Sequence, residues 1–262
     1  MNRIAIAQTN IIWEDKEANL TIAEQYIIEA KNNGASYVFF PEMSFTGFSM
    51  NTDITSESDG YTKEFVSKLA LKHHIGIGFG WVERNELAYN HYSVVNDEGV
   101  IISDYKKIHP FSYANEDKYF SAGDKLTFFS IFNIPWSTFI CYDLRFPEIF
   151  QIASKKSDII IVPANWPERR KEHWVTLLRA RAIENQVYII AINCYGENIG
   201  GLKYSGDSCV INPNGDVLLS CEEEGIYYWD VANDVREYRE LFPVKIDRRE
   251  ELYYKLLEEN NT

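Results

Sequence analysis

Trp136-Ser-Thr-Phe-Ile-Cys141 is an apolar run that ends on a thiol, and Tyr142-Asp-Leu-Arg-Phe-Pro-Glu148 follows at once. The run reads as a strand and its sequel as the start of a helix, so Cys141 is expected at a strand-to-helix turn. There a side chain is lifted out of the sheet, and the first helical amides lie close enough to stabilise an anion. The bland alternative is a small buried hydrophobe, the commonest role of a free cysteine. Cys194, which closes Tyr188-Ile-Ile-Ala-Ile-Asn-Cys194, occupies a superficially similar place.

Outward from this stretch, short β-branched and aromatic runs alternate with segments of helical period. Strands are predicted at Arg3 to Gln8, Tyr37 to Phe40, Ile75 to Val82, His91 to Val95, Val100 to Tyr105, Thr127 to Ile131, Trp136 to Ile140, Ile159 to Val162, Val187 to Asn193, Ser208 to Asn212, Val217 to Leu219 and Ile226 to Trp229. Helices are predicted at Asp15 to Asn33 (core face Leu20, Ala23, Ile27, Ala30), Thr62 to His73 (Phe65, Val66, Leu69, Ala70) and Arg170 to Gln186 (Trp174, Leu177, Leu178, Ile183). Asn96-Asp-Glu-Gly99 and Asn212-Pro-Asn-Gly215 are hairpin turns, so antiparallel pairs are mixed with β-α-β stretches. This points to two packed sheets with helices outside, a layered α/β architecture. No repeat or linker divides residues 1–262, read as one domain; the charged stretch Asp234 to Thr262, with Tyr238, Leu241, Phe242 and Tyr253, Tyr254, Leu256, Leu257, is expected to pack over its own domain or onto a neighbouring subunit.

Composition narrows the partners. With 26 basic and 39 acidic residues the formal charge is −13, and no stretch concentrates Lys and Arg, which argues against nucleic acid and anionic membranes. An anionic substrate would be repelled at long range, so single Arg and Lys residues in a pocket matter more than the global balance. The opening Met1-Asn-Arg-Ile-Ala-Ile-Ala-Gln8 has no signal-peptide pattern, no segment suits a membrane span, and a cytoplasmic enzyme is expected. The cysteines at 141, 194, 209 and 221 lack metal-ligand spacing and fit reduced thiols; no metal is expected.

A thiol of ordinary pKa, about 8.5, is only a few per cent ionised at neutral pH and needs a base or a nearby cation. The histidines offer little: His73 and His74 end a helix, His91 is in a hairpin strand, His173 is in a helix, and His109, just beyond Lys107, is the best placed. Carboxylates are the better lead. Glu42 ends Val38-Phe-Phe-Pro-Glu42 beside the aromatic loop Met43-Ser-Phe-Thr-Gly-Phe48, and Lys107 follows the strand entering Ser103-Asp-Tyr-Lys-Lys-Ile-His-Pro-Phe111. Taken singly, a Glu or Lys at a loop start is usually just a surface charge. Strand ends on one side of a sheet, however, converge.

Phe40-Pro-Glu42, Tyr105-Lys-Lys107-Ile-His and Ile140-Cys141-Tyr-Asp-Leu-Arg-Phe-Pro-Glu148 together resemble the carbon-nitrogen hydrolase (nitrilase) superfamily, in order and over essentially the whole chain. The resemblance implies a four-layer α-β-β-α sandwich, commonly a homodimer, that uses no cofactor. It implies Glu42 as general base, Cys141 as nucleophile, and Lys107 with the Tyr142 N–H as stabilisers of the tetrahedral intermediate. Glu116, in Asn115-Glu-Asp-Lys-Tyr-Phe-Ser-Ala-Gly123, would hold the lysine, with Asp117 one residue away as the alternative. Cys141-Tyr-Asp-Leu-Arg is similar to the amidase branch, since true nitrilases usually have Cys-Trp-Glu. Pro163-Ala-Asn-Trp-Pro167, Arg179-Ala-Arg-Ala-Ile-Glu-Asn-Gln186 and Tyr204-Ser-Gly-Asp-Ser208 are similar to bacterial omega-amidases, which release ammonia from 2-oxoglutaramate or 2-oxosuccinamate. Arg145 and the backbone around Asn165 and Trp166 would receive the distal carboxylate, unless Arg145 pairs with Asp143 or Glu148. Where many relatives have Lys-x-His-Leu-Phe this chain has Lys107-Ile-His-Pro-Phe111, and Pro110 fixes φ after the lysine. The alternatives are an N-carbamoyl or deaminated-glutathione amide hydrolase, and a non-catalytic interaction protein on the same fold.

Overall fold

Alternation along β1 (Arg3–Gln8) divides the interior in two: Ile4 and Ile6 face one apolar cluster, Ala5 and Ala7 another. The computed structural model describes residues 2–232 and 234–259; the expected tail's last residues, 260–262, lie outside them. With β2 (Tyr37–Phe39), β3 (Gly76–Glu83), β4 (Tyr89–Val95) and β5 (Ile101–Lys106), β1 builds the first sheet. The second contains β6 (Phe128–Ile131), β7 (Ile134–Thr138), β8 (Ile159–Ala164) and β9 (Tyr188–Asn193), and β10 (Tyr195–Glu197) with β11 (Lys203–Ser205) forms a separate ribbon. Strands β12 (Cys209–Ile211) and β13 (Val217–Ser220) complete the second sheet, and β14 (Gly225–Asp230) returns to the first. The orders are β14-β1-β2-β3-β4-β5 and β13-β12-β9-β8-β7-β6, each with three parallel strands inside antiparallel neighbours.

The face carrying Ile4, Ile6, Phe39, Tyr92 and Tyr105 packs on Phe129, Trp136 and the Ile-rich strands of the second sheet. Phe39 and Trp136 stack across this interface with ring centroids 5.9 Å apart. Each such side chain, fully buried, contributes about 1.5–3 kcal/mol relative to exposure. Helix α1 (Lys16–Asn32) and, after the short α2 (Thr52–Thr55), helix α3 (Tyr61–His73) cover the outer face of the first sheet; Leu20, Ala23, Ile27, Val66 and Ala70 join Ala5, Val38 and Phe79 there. Helices α4 (Pro147–Ala153) and α5 (Lys171–Asn185) cover the second sheet through Phe150, Trp174, Leu178 and Ala182. The result is the expected α-β-β-α sandwich.

Several expectations are corrected. Ile183 is not on the core face of α5 but half exposed. Nine residues from Trp174, it lies half a turn from the buried stripe Trp174, Leu178, Arg181, Ala182 and Asn185. The strand before Cys141 runs over Ile134–Thr138 rather than to Ile140. Phe132 and Asn133, both at positive φ, make a two-residue hairpin that pulls β7 towards β6. The β10–β11 ribbon was not expected, because Tyr195-Gly-Glu and Lys203-Tyr-Ser carry no apolar alternation. The charged C-terminal stretch forms α6 (Val235–Leu241) and α7 (Glu250–Glu259). The first is tied to its own chain by Arg239 Nη1 to Asp158 Oδ1 (2.6 Å) and Tyr188 OH to Asp234 Oδ1 (2.6 Å). The second buries no residue.

Candidate active site

Glu42 and Lys107 leave the first sheet just beyond β2 and β5, and Cys141 and Asn165 leave the second beyond β7 and β8. The strand directions put all four on one edge of the sandwich, and β4, running the other way, begins there with Asn90.

Lys107, almost fully buried, holds Nζ within hydrogen-bond distance of Glu42 Oε1 (2.9 Å), Glu116 Oε1 (3.1 Å) and Glu116 Oε2 (2.9 Å). Both carboxylates are fully buried. Asn90 Nδ2 bridges them, donating to Glu42 Oε1 at 2.8 Å and Glu116 Oε1 at 3.2 Å. Glu42 Oε2 accepts from Asn165 N at 2.9 Å, and Glu116 Oε2 from Phe111 N. Glu116 rather than Asp117 therefore holds the lysine. Burial disfavours the Lys107 ammonium, but the charges of Glu116, Glu42 and Cys141 overcome it and raise its pKa. Burial, reinforced by Glu42 and opposed by Lys107, pushes the Glu116 carboxyl up.

Cys141 opens the 3₁₀ turn Cys141–Arg145 with φ at +45°. A non-glycine residue in the left-handed region is strained by about 1–3 kcal/mol and persists only where its surroundings fix it. Asp143 does the fixing: fully buried, it accepts from Ile140 N (3.0 Å), Tyr105 OH (2.8 Å), His109 N (2.9 Å) and His109 Nδ1 (2.8 Å). Arg181, buried in α5, adds bonds to Leu144 O at 3.1 and 2.8 Å. Burial, then the Glu42 charge, pushes the Cys141 thiol well above its ordinary pKa, against the pull of Lys107. A thiol raised in this way would act as a nucleophile only with a base beside it.

A cavity of about 390 Å³ opens over Cys141, lined by Phe48, Phe111, Tyr142, Arg145, Trp166 and Arg170 among others. Residues 3–240 match the carbon-nitrogen hydrolase family. The chain belongs to that family. It is 36% identical over 257 residues to the 2-oxoglutaramate amidase of Bacillus subtilis (strain 168), covering 95% of this chain and 98% of that protein. It is 30% identical over 252 residues to the omega-amidase YafV of Escherichia coli (strain K12), covering 95% and 97%. Among solved structures, XC1258 of Xanthomonas campestris, a CN-hydrolase superfamily protein with an arsenic adduct in its active site, superposes with a TM-score of 0.88 at 28% identity, covering 94% of this chain and 97% of that one.

In this carbon-nitrogen hydrolase several expected substrate contacts are otherwise engaged. The backbone amides of Asn165 and Trp166 are not open to a ligand carboxylate: the first donates to Glu42, the second to Asn193 Oδ1 at 2.7 Å. The Asn165 side chain holds Glu42 as well, through its backbone carbonyl at 2.6 Å. Arg145 pairs with neither Asp143 nor Glu148; it faces the cavity, with Cζ 4.8 Å from the Trp166 ring centroid and Nη2 3.2 Å from His173 Nδ1. His109 is no base, being locked to Asp143 and stacked on Phe146 at 3.8 Å. Cys194, in the matching place after β9, is buried. Asn90, Asn193 and Arg170 were missed. For Asn90 a signal existed, since an amide inside a strand is disfavoured unless its hydrogen bonds are used.

Proposed function

We propose that this carbon-nitrogen hydrolase cleaves the terminal amide of a small 2-oxo acid, 2-oxoglutaramate or 2-oxosuccinamate, through a thioester on Cys141. Glu42 accepts the thiol proton as the sulfur attacks the amide carbon, and Lys107 with the Tyr142 N–H, a donor without a partner in its own turn, stabilises the oxyanion. Glu42 returns the proton to the departing nitrogen, ammonia leaves, and Glu42 then takes a proton from the water that opens the thioester. The products are ammonia and the dicarboxylic 2-oxo acid. The observation that carries this reading is the buried Glu42–Lys107–Glu116 cluster behind Cys141, at a cavity walled by arginines. The similarity to the Bacillus subtilis 2-oxoglutaramate amidase supports the substrate class.

The four unpaired cysteines favour a cytoplasmic enzyme. A homodimer meeting through the C-terminal stretch is favoured by the exposure there of Leu241, Phe242 and Ile246.

Ammonia release from 2-oxoglutaramate by the wild type and by Cys141→Ala tests the chemistry. Release by the wild type and none by the variant is expected; equal release from both would remove Cys141 as nucleophile. Carbon dioxide appearing with ammonia from an N-carbamoyl substrate, at a higher rate than from 2-oxoglutaramate, would move the assignment to the carbamoyl branch.

A further inference from the structure

We propose that Arg170 joins Arg145 in a guanidinium clamp that grips the substrate's far carboxylate and selects substrates by its charge; this rests on the amidase reading above. Arg170 closes the short turn Glu168–Arg170 at the start of α5, outside the runs that carry Glu42, Lys107 and Cys141. Its Cζ lies 4.8 Å from the Tyr113 ring and 5.5 Å from the Phe111 ring, as Arg145 lies over Trp166. Trp166 Nε1 donates to the Arg170 carbonyl at 2.8 Å, joining the two platforms. Among the described residues neither guanidinium has a carboxylate partner, so both forks keep donors for a ligand.

The wall they form is unusual for this molecule. The chain carries a formal charge of −13, yet no Asp or Glu lines the cavity. Lys107, also in the lining, is matched by Glu42 and Glu116, so the uncompensated charge there belongs to arginines. Arg145 and Arg170 line the same cavity and share Trp166 as a neighbour, so their like charges repel, and burial, then the charge of Arg170, lowers the Arg145 pKa. An anion between them relieves that repulsion and can be held by both planar forks, a geometry a lysine cannot supply. The same wall has no carboxylate to pair with an ammonium group and two arginines to repel it, so a zwitterionic amide such as glutamine is disfavoured against its 2-oxo counterpart.

The test has a binding arm and a turnover arm. In the Cys141→Ala background, calorimetry with 2-oxoglutarate should give a Kd raised about 10- to 100-fold by Arg170→Gln and less by Arg170→Lys. In the active enzyme, Arg170→Gln should lower kcat/KM for 2-oxoglutaramate by a similar factor, mainly through KM, and lower it for pentanamide, a neutral amide of equal length, by a much smaller factor. Equal losses on both amides, or an unchanged Kd for 2-oxoglutarate, would overturn the clamp. Should the wild type hydrolyse no linear amide while Arg170→Gln still weakens 2-oxoglutarate binding, the amidase reading fails and the clamp stands. Normal ammonia release with binding indifferent to Arg170 sinks the clamp alone. Arg170→Lys, which keeps charge and bulk, shows whether a loss reflects folding, as does the melting temperature of each variant.

Discussion

Lys107 is one cation between two buried carboxylates, and that imbalance makes residue-level predictions sharp. Lys107→Met leaves Glu42 and Glu116 facing each other without compensation and should destabilise the protein by about 3–5 kcal/mol, read from urea unfolding. Adding Glu116→Gln removes one of the charges, so the double variant should be more stable than Lys107→Met alone; a simple sum of the two losses would contradict the charge account. Cys141 gives a second test. Because the Glu42 charge helps hold the thiol above its ordinary pKa, Glu42→Gln should move the thiolate absorbance titration to lower pH while abolishing turnover. The triad positions were readable because each ends a strand with a recognisable run. Asn165 was readable as a site residue but not in its role, since a sequence does not reveal which amides the fold itself consumes. Arg170 gave no signal, as its importance comes from the aromatic rings that tertiary packing sets beneath it.

On β4 and β5 the pleat separates two kinds of chemistry. Asn90 and Lys107 face the carboxylate pair, while their neighbours His91 and Lys106, cross-strand partners, both contact Glu83 on the opposite side. There His91 Nδ1 meets Asp104 Oδ1 at 2.7 Å and Nε2 meets Glu83 Oε2 at 3.2 Å. Burial alone would raise the Asp104 carboxyl, but His91, Ser93 and Lys63 together hold it below its ordinary 3.8. A depressed carboxyl stabilises the fold above its unfolded pKa and loses that contribution as pH falls through the folded value. The stability difference between wild type and Asp104→Asn should therefore hold near neutrality and shrink between about pH 5 and pH 2. Strand β3 supplies another element-level test. A Cβ on Gly80 would come 2.3 Å from Met43 N and 2.9 Å from the Glu42 carbonyl carbon. Gly80→Ala should cost about 1–3 kcal/mol of stability and lower kcat by displacing Glu42, the proposed general base, measured by thermal unfolding and ammonia release. The strands and long helices were legible because their periods repeat over many residues, whereas the ends of β7 were decided by a hairpin with no Asn-Gly or Asp-Gly signature.

The layered architecture was legible from the rhythm of strands and helices, but which sheet each strand joins was not, because β14 returns from the end of the chain to pair with β1. At this scale the homodimer proposed above makes a prediction from the exposed Leu241 and Phe242: the wild type should sediment as a dimer and the variant with both replaced by Glu as a monomer, with little change in melting temperature; a monomeric wild type would overturn the dimer, and an unchanged sedimentation coefficient would rule this surface out as the interface. The division of the site between the sheets has a consequence for folding. Glu42 and Lys107 come from the ends of one sheet, Glu116 from the connection that leaves it, and the thiol with its strained turn from the other sheet; Tyr105 and His109 on one side reach Asp143 on the other. A chain in which either sheet has formed alone holds an ordinary, poorly reactive cysteine and an inert carboxylate. Catalytic competence thus reports the docking of the two halves.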